Sequence, residues 1–187
     1  MPAAGPGQEI LDFLISVVFG IYIILLMLRV IFGLVRADYH NPISQTIVML
    51  TNPPLQVLGK VIPPVGRVNL AAILLLVVLK FVELWLRLLV LGVDAGAGLI
   101  LSAAIRDLLV TVIWVFIIAL IVEVVMSWVQ AGGGGSPHNP IMRLAADVNR
   151  PILGPLRRNL PRTGAIDFSP MIALIGLYIL LILVRSL

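Results

Sequence analysis

The sequence contains no cysteine and very little charge. Without cysteine, the chain has no disulfide, no Cys-ligated metal, no CxxC redox pair and no thioether attachment of haem. Charged residues make up only 12% of the 187 residues, whereas a soluble domain carries about a quarter. So few charges leave too little polar surface to keep a chain of this length in water. The sequence therefore predicts an integral membrane protein.

Residue patterns typical of enzymes are also missing from the sequence. It has no Ser–His–acid set, no HExxH motif, no P-loop and no paired carboxylates on one accessible face. His40 and His138 each precede Asn-Pro in a predicted turn, so a local loop role is favoured over metal binding. The glycine run at 132–135 is interpreted as a flexible link. We therefore expect no catalysis, no cofactor and no metal.

Long apolar runs account for most of the chain. Apolar residues make up 60% of it, and the mean hydropathy is +1.13. A bilayer core needs roughly 20 apolar residues per helix, and four runs qualify, at about 10–35, 70–91, 108–129 and 169–184. The stretch 97–104 is too short to span alone and is interpreted as a lead-in to the third helix or an interfacial piece. The predicted fold is an all-α membrane protein with four transmembrane helices.

A repeat divides the chain into two halves. His40-Asn-Pro-Ile43 recurs as His138-Asn-Pro-Ile141, and at that constant offset there are nine identities in the 34 positions from His40 onward. Upstream, Arg29 aligns with Glu123 if the second copy holds four extra glycines. The predicted repeats are 1–93, with hairpin 36–69, and 108–187, with hairpin 130–168, joined by a linker at 94–107. An even number of spans per copy makes the two repeats parallel.

The repeated hairpin carries a common pattern of cap and turn residues. Asn41 and Asn139 are predicted to cap a short amphipathic interfacial helix, with Pro42 and Pro140 at its first position. That helix is expected to end before Pro53 and Pro151. A second short helical turn, a proline turn and a cap for the next span follow it. These structural residues are His40, Asn41, Pro42, Pro53, Pro63 and Gly66 in the first copy, and His138, Asn139, Pro140, Pro151, Pro161, Gly164, Asp167 and Pro170 in the second.

Basic residues are concentrated in the two hairpins. Their distribution places both hairpins in the cytoplasm and both ends of the chain in the periplasm of a bacterial inner membrane. They are not interleaved with aromatics, so no direct contact with nucleic acid is expected. Contact with anionic headgroups is favoured over docking of a protein partner, and both remain open. The contact residues are Lys60, Arg67, Arg143, Arg150, Arg157, Arg158 and Arg162.

Charge within a membrane span is costly and often functional, and Arg29, Lys80, Glu83, Arg87 and Glu123 are the candidates in the predicted spans. Arg29 and Glu123 align in the two repeats, so they are candidates to pair with each other; the alternative is that Arg29 snorkels and Glu123 has another partner. Lys80, Glu83 and Arg87 share one helical face, where Glu83 can pair with both neighbours. The face either contacts another helix or subunit or lines an ion or osmolyte path, and the first interpretation is favoured.

The second repeat resembles the YggT (YlmG-like) family of small bacterial and plastid membrane proteins. The resemblance rests on Met126-Ser-Trp128, Asn139-Pro-Ile141, Pro151-Ile-Leu153, Pro155-Leu-Arg-Arg158, Pro161 and Ile166-Asp-Phe-Ser-Pro170. The first repeat departs from this pattern, with Gly59-Lys60 in place of the arginine pair and Asn69-Leu-Ala-Ala72 in place of Asp-Phe-Ser-Pro. Many members carry Arg where Glu123 stands.

The resemblance implies links to osmotic or potassium stress tolerance, to division-related organisation and, in plastids, to cytochrome maturation and nucleoid distribution. It implies no reaction and no cofactor residue. Two hypotheses follow. In the first, the chain is a scaffold or adaptor whose hairpins contact lipid and a cytoplasmic or membrane protein partner. In the second, the intramembrane charges conduct or regulate ions or osmolytes, which four helices could do only as a homo-oligomer.

Overall fold

Six helices make up the part of the chain that the computed structural model describes, namely residues 5–66, 68–131, 139–159 and 167–186. The only other regular element within these ranges is an isolated β-bridge between Val65 and Val68. The helices are α1 (Pro6–Val35), α2 (Pro42–Gly59), α3 (Leu70–Leu91), α4 (Ala97–Ala131), α5 (Pro140–Asn159) and α6 (Ser169–Arg185). Several predicted residues lie outside the described ranges: Arg67, the glycine run 132–135, His138, Pro161, Arg162 and Gly164.

Two of the helices are long and apolar enough to cross a membrane. They are α1, with 30 residues, and the stretch Ala97–Gln130 of α4, with 34. The stretch 97–104 is therefore part of the third long helix, and the predicted linker is reduced to a short loop. By contrast, α3 has 22 residues and carries Lys80, Glu83 and Arg87, while α6 is apolar but has only 17 residues.

Polar caps and left-handed residues set several helix ends. The Asn41 side chain accepts a hydrogen bond from the Ile43 N–H at 2.9 Å, and Asn139 accepts one from Ile141 at the same distance. Pro42 and Pro140 occupy the first positions of α2 and α5, where a missing N–H costs nothing. The C-terminal end of α1 is set by Arg36, whose φ of 58° is left-handed and uncommon outside glycine.

The expectation that the hairpin helices end before Pro53 and Pro151 is wrong. Helix α2 continues through Pro53 and Pro54 to Gly59, and α5 continues through Pro151 and Pro155 to Asn159. An interior proline costs about 3 kcal/mol through its lost hydrogen bond and its steric clash. Packing beyond the prolines opposes this cost, because Leu55 and Leu153 are buried against the neighbouring helices. Each hairpin therefore contains one continuous amphipathic helix in place of two short ones.

The helices α1, α3, α4 and α6 pack side by side in the order of the chain, and the hairpin helices α2 and α5 lie at one end of them. Helix α1 packs on α3, α3 also packs on α4, and α4 packs on α6. Helix α2 lies against α1 and α3, and α5 lies against α4, α6 and α1. The main apolar core joins Leu26 and Phe32 of α1 to Leu76 of α3 and Leu144 of α5. A smaller core joins α4 to α6 through residues such as Ile117 and Leu181. The second hairpin is thus fixed to both halves of the chain.

The N-terminal ends of α2 and α5 are in contact through Asn41 and Pro140. The Asn41 Nδ2 donates to the Pro140 carbonyl at 2.7 Å, while among the described residues the equivalent Asn139 Nδ2 has the Met126 sulfur alone, at 3.9 Å. Asn41 is also almost fully buried, which makes both of its bonds costly to lose. The two asparagines therefore have the same capping role, but only the first connects the hairpins.

We predict that Asn41→Ala destabilises the protein about twice as much as Asn139→Ala. The first substitution removes a cap and an inter-hairpin hydrogen bond, each contributing about 1 kcal/mol, whereas the second removes the cap alone. Chemical unfolding of the two variants in the same detergent measures the difference. Equal losses would show that the Asn41–Pro140 contact contributes nothing.

Candidate functional site

A polar network around Glu123 connects α4, α5 and the start of α6. The Glu123 carboxylate accepts a hydrogen bond from Asn149 Nδ2 at 2.7 Å and lies 3.3 Å from an Arg157 guanidinium nitrogen. Arg157 Nε also donates to Asp167 at 2.8 Å, and Asp167 accepts from the Ser169 N–H at the first position of α6. Asn149 is fully buried, and the Glu123 side chain is 14% exposed. The network therefore holds α5 and α6 against α4.

Asp167 lies just before Phe168, the N-cap of α6, and its carboxylate accepts a hydrogen bond from the first N–H of the helix. Burial raises the pKa of its carboxyl, but hydrogen bonds from Ser169 and the charge and hydrogen bond of Arg157 outweigh it, so the pKa is lowered overall. A lowered pKa means that Asp167 stabilises the folded state at neutral pH. That contribution is lost only as the pH falls below the ordinary range of an aspartate. Arg157 thus bridges the carboxylates of Glu123 and Asp167.

The predicted ion pair between Arg29 and Glu123 is wrong. Arg29 donates to the Val48 carbonyl at 2.9 Å and to Thr51 Oγ1 at 3.0 Å, both on α2. Glu123 bonds to Asn149 on α5, and Asn149 is the residue that aligns with Thr51 at the offset of the repeated HNP motif. Each side chain is therefore satisfied within its own half, since the hairpin helix is nearer than the other repeat. The alignment thus identifies equivalent positions, and of the two alternatives for Arg29 and Glu123 the direct pair is the one that the contacts contradict.

A second polar network surrounds the buried carboxylate of Glu83 in α3. Glu83 is 2% exposed and contacts Lys80 at 2.9 Å and Arg87 at 3.8 Å, as the helical spacing predicts. Two residues that the sequence analysis missed complete it. Asp12 of α1 binds Arg87 through two hydrogen bonds of 2.7 and 3.1 Å, and Asp107 of α4 lies 3.6 Å from Lys80. The network joins three helices and contains three carboxylates and two cations.

The sequence offered a signal for both missed residues. Asp12 lies two residues inside the first apolar run, and Asp107 lies one residue before the predicted start of the third. Both are isolated carboxylates, one near the start of a predicted span and one next to a span, so the sequence alone does not show that they pair with α3. The helices in fact begin earlier, at Pro6 and Ala97, so both carboxylates lie within helices and face α3.

A basic surface forms where the end of α1 meets the polar side of α5. We call it the α5 basic surface; it surrounds an open pocket of about 440 Å³ and comprises Arg36, Asp38, Arg143, Asp147 and Arg150. Arg143 binds Asp38 at 3.0 Å and Arg150 binds Asp147, while Asp147 also accepts from the Asp38 N–H. The His40 N–H is the main cause of a lowered pKa at Asp38. Three arginines and two aspartates leave this surface with net positive charge.

The predicted hairpin contact residues fall into three groups. Arg143 and Arg150 are more than half exposed on the α5 basic surface. Lys60 and Arg158 are exposed at the ends of α2 and α5. Arg157 instead belongs to the Glu123 network, so its first role in the fold is to stabilise the hairpin. The PLRR motif thus contains one arginine that faces the protein and one that faces outward.

Comparison with known proteins relates the chain to one family. A family model described as CCB3/YggT matches residues 8–90 and 102–187. An uncharacterised protein of Pseudomonas aeruginosa is 35% identical over 88% of this chain and 82% of its own length. The uncharacterised protein YggT of Escherichia coli K12 is 34% identical over 91% of this chain and 86% of its own length. No solved structure matches the chain.

We predict that Arg157→Ala destabilises the protein by about 1–2 kcal/mol, whereas Arg158→Ala changes stability by less than about 0.5 kcal/mol. The first substitution removes a hydrogen bond from the partly buried Glu123 carboxylate and one from Asp167. The value lies at the lower end for charged groups because Arg157 is half exposed. Unfolding of the two variants in detergent tests this, and equal effects would contradict a structural role specific to Arg157.

Proposed function

The chain belongs to the CCB3/YggT family, and from this premise we propose that it is a non-enzymatic scaffold or adaptor of the bacterial inner membrane. In this proposal α1, α3, α4 and α6 cross the bilayer as two parallel repeats. The hairpin helices α2 and α5 lie at the cytoplasmic interface, where their basic residues contact anionic headgroups and a protein partner. The family resemblance links such a role to osmotic or potassium stress or to the organisation of division-related complexes.

The lengths of α3 and α6 support four spans. At 1.5 Å per residue, the 22 residues of α3 extend about 33 Å, close to the roughly 30 Å of a hydrocarbon core. The charges of α3 are paired with Asp12 and Asp107 on neighbouring helices, as charges within a membrane require. The 17 residues of α6 extend about 25 Å, which a locally thinned bilayer accommodates.

Two equivalent contacts support the tandem repeats. In each half a charged residue of the first long helix bonds to the hairpin helix, Arg29 to Thr51 and Glu123 to Asn149. Arg29 aligns with Glu123 and Thr51 with Asn149, so the alignment and the contacts agree. The family model also matches two separate segments of similar length, one in each half. Parallel repeats place both hairpins on one side of the membrane.

The single observation that carries the scaffold proposal is the division of α5 into two faces. Leu144, Val148 and Leu153 are buried in the bundle, while Arg143 and Arg150 lie on the opposite, exposed side. A helix of this kind lies in the interface with its basic face toward headgroups and cytoplasm. The Glu123 network fixes it there. The α5 basic surface is therefore rigid, which favours recognition of a partner as well as lipid attraction.

We predict that anionic lipid stabilises the purified protein through the exposed arginines of α5, of which Arg150 lies on the α5 basic surface and Arg158 at the end of the helix. Adding phosphatidylglycerol in place of phosphatidylcholine should raise the unfolding midpoint, and Arg150→Ala with Arg158→Ala should remove about 2 kcal/mol of that gain, at roughly 1 kcal/mol per basic residue. The control is Arg106→Ala with Arg185→Ala, which removes two exposed arginines from the opposite side. Equal losses in both double variants would contradict a specific hairpin surface.

The same pair of variants tests the partner, because recovery of a protein partner by affinity capture should fall only with the hairpin variant.

A second candidate function is conduction or regulation of ions, and the Glu83 network is the observation that favours it. A path needs polar residues from several helices, and here α1, α3 and α4 all contribute. Against it, the Glu83 carboxylate is paired with cations on both sides and is 2% exposed. Such satisfied charges also hold helices together without conducting. The scaffold is therefore the preferred function.

Potassium flux into liposomes separates the two functions. The scaffold function predicts flux no greater than in liposomes without protein. Conduction through the network predicts flux that changes several-fold with Glu83→Gln and is unaffected by Glu9→Gln, since Glu9 is exposed at the start of α1 and is not part of the network. Flux with that dependence on Glu83 would overturn the scaffold proposal.

A further inference from the structure

The contact between α3 and α4 is the one place where the second span of one repeat meets the first span of the next. Its polar contact is the pair Lys80 and Asp107, 3.6 Å apart. On α4, the neighbouring positions Ala104 and Leu108 are buried, at 0 and 8% exposure. Helix α6 is the equivalent of α3 in the second repeat. Among the described helices it packs on α4 and α5, and no third repeat follows for it to contact as α3 contacts α4. The tandem unit therefore has one unused side at each end.

The face of α6 that is equivalent to the α4-facing side of α3 is exposed. We call this the α6 stripe; its residues are Ile175, Tyr178, Ile179 and Ile182, which are 53–59% exposed. They lie at i, i+3, i+4 and i+7, hence on one helical face. At the repeat offset they align with Val77, Lys80, Phe81 and Leu84 of α3, all of which are half-buried. Tyr178 takes the position of Lys80, the residue that reaches α4.

The face of α1 that is equivalent to the α3-facing side of α4 is also exposed. Ile10 aligns with the buried Ala104 and Leu14 with the buried Leu108, but Ile10 and Leu14 are 60 and 50% exposed. Phe13 aligns with Asp107 and is 63% exposed. We call Ile10, Phe13 and Leu14 the α1 stripe. By the equivalence of the repeats, Phe13 and Tyr178 correspond to the two residues that touch across the inter-repeat contact.

We propose that copies of this chain associate head to tail in the membrane, with the α6 stripe of one copy on the α1 stripe of the next, in the arrangement of α3 on α4. The proposal rests on the tandem parallel repeats put forward above and goes beyond the scaffold role. Parallel repeats give every α1 and α4 the same direction in the membrane, so successive copies keep one orientation. The Lys80–Asp107 ion pair is replaced between copies by the aromatic pair Tyr178–Phe13.

Two properties of α6 favour a second copy over lipid as the occupant of its stripe. At 17 residues the helix is shorter than the hydrocarbon core, and association is one way in which a short span is accommodated. The stripe also contains a bulky aromatic residue at the depth where α3 makes its contact with α4. Because the two contacting surfaces differ, the interface is heterologous, and repetition produces a ring if it closes and a filament if it does not.

The absence of cysteine in the natural sequence makes the contact directly testable by crosslinking. Two differently tagged full-length chains are co-expressed, one with Phe13→Cys and one with Tyr178→Cys, and the membranes are treated with a short bis-maleimide. A bis-maleimide is used because two cysteines in place of long side chains lie too far apart for a direct disulfide. The control replaces Phe13→Cys by Leu11→Cys. Leu11 is also exposed, and it aligns with Ile105, which lies outside the α3–α4 contact.

The proposal expects a heterodimer band several-fold stronger for the Phe13–Tyr178 combination than for the Leu11–Tyr178 control. Equal bands would indicate random collision, and no band in either case would indicate that only lipid covers these helices; both results overturn the proposal. Crosslinking of Tyr178→Cys chains to one another would indicate a symmetric α6 dimer and would also overturn it. Each chain must reach wild-type levels in the membrane, as substitutions at exposed positions should allow. The result is independent of lipid or partner binding at the hairpins, so failure here leaves the scaffold proposal standing.

Discussion

The hydrogen bond that Glu123 accepts from Asn149 determines where the second hairpin lies. An unsatisfied carboxylate or buried amide costs free energy wherever water is excluded, so each group requires the other. Because Asn149 lies in the middle of α5, the bond fixes that helix against α4 at one depth and in one rotation. The direction of its exposed arginines and the position of Arg157 next to Asp167 both follow from it. The surface that we assign to headgroups and partner thus depends on one buried pair.

The first half solves the same problem with the opposite charge. Arg29 carries donors only, so it needs oxygen atoms, and α2 supplies them from Thr51 and the Val48 carbonyl. Glu123 carries acceptors only, so α5 supplies the amide of Asn149 and the guanidinium of Arg157. A change from acid to base in one repeat therefore requires a matching change on the hairpin helix. The two hairpins are equivalent in position but differ in chemistry, and in the second the motif arginine Arg157 bonds to the charged residue of the long helix.

Much of the fold could be predicted from the sequence, because apolar periodicity and caps are local. The bounds of α3 and the capping roles of Asn41 and Asn139 needed only neighbouring residues. Partners could not be predicted, because the choice between Thr51 and Glu123 as the partner of Arg29 depends on how close the hairpin helix lies. The interior prolines were misread for a similar reason: local sterics favour a helix end at Pro53, and the burial of Leu55 outweighs them. The helices and their caps could thus be predicted from local sequence, whereas the side-chain partners depend on tertiary packing.

The contact between Asn41 and Pro140 has a consequence for how the two halves can move. They are joined covalently through the short loop after Gly92 and, at the hairpin end, through this buried hydrogen bond and the pair of Asp38 with Arg143. Because the two halves are connected at both ends, a hinge opening at the hairpin end would break the Asn41–Pro140 and Asp38–Arg143 contacts. Rearrangement is then confined to small sliding of packed helices, the shear type of motion. The contacts at both ends therefore favour one fixed arrangement of the two halves.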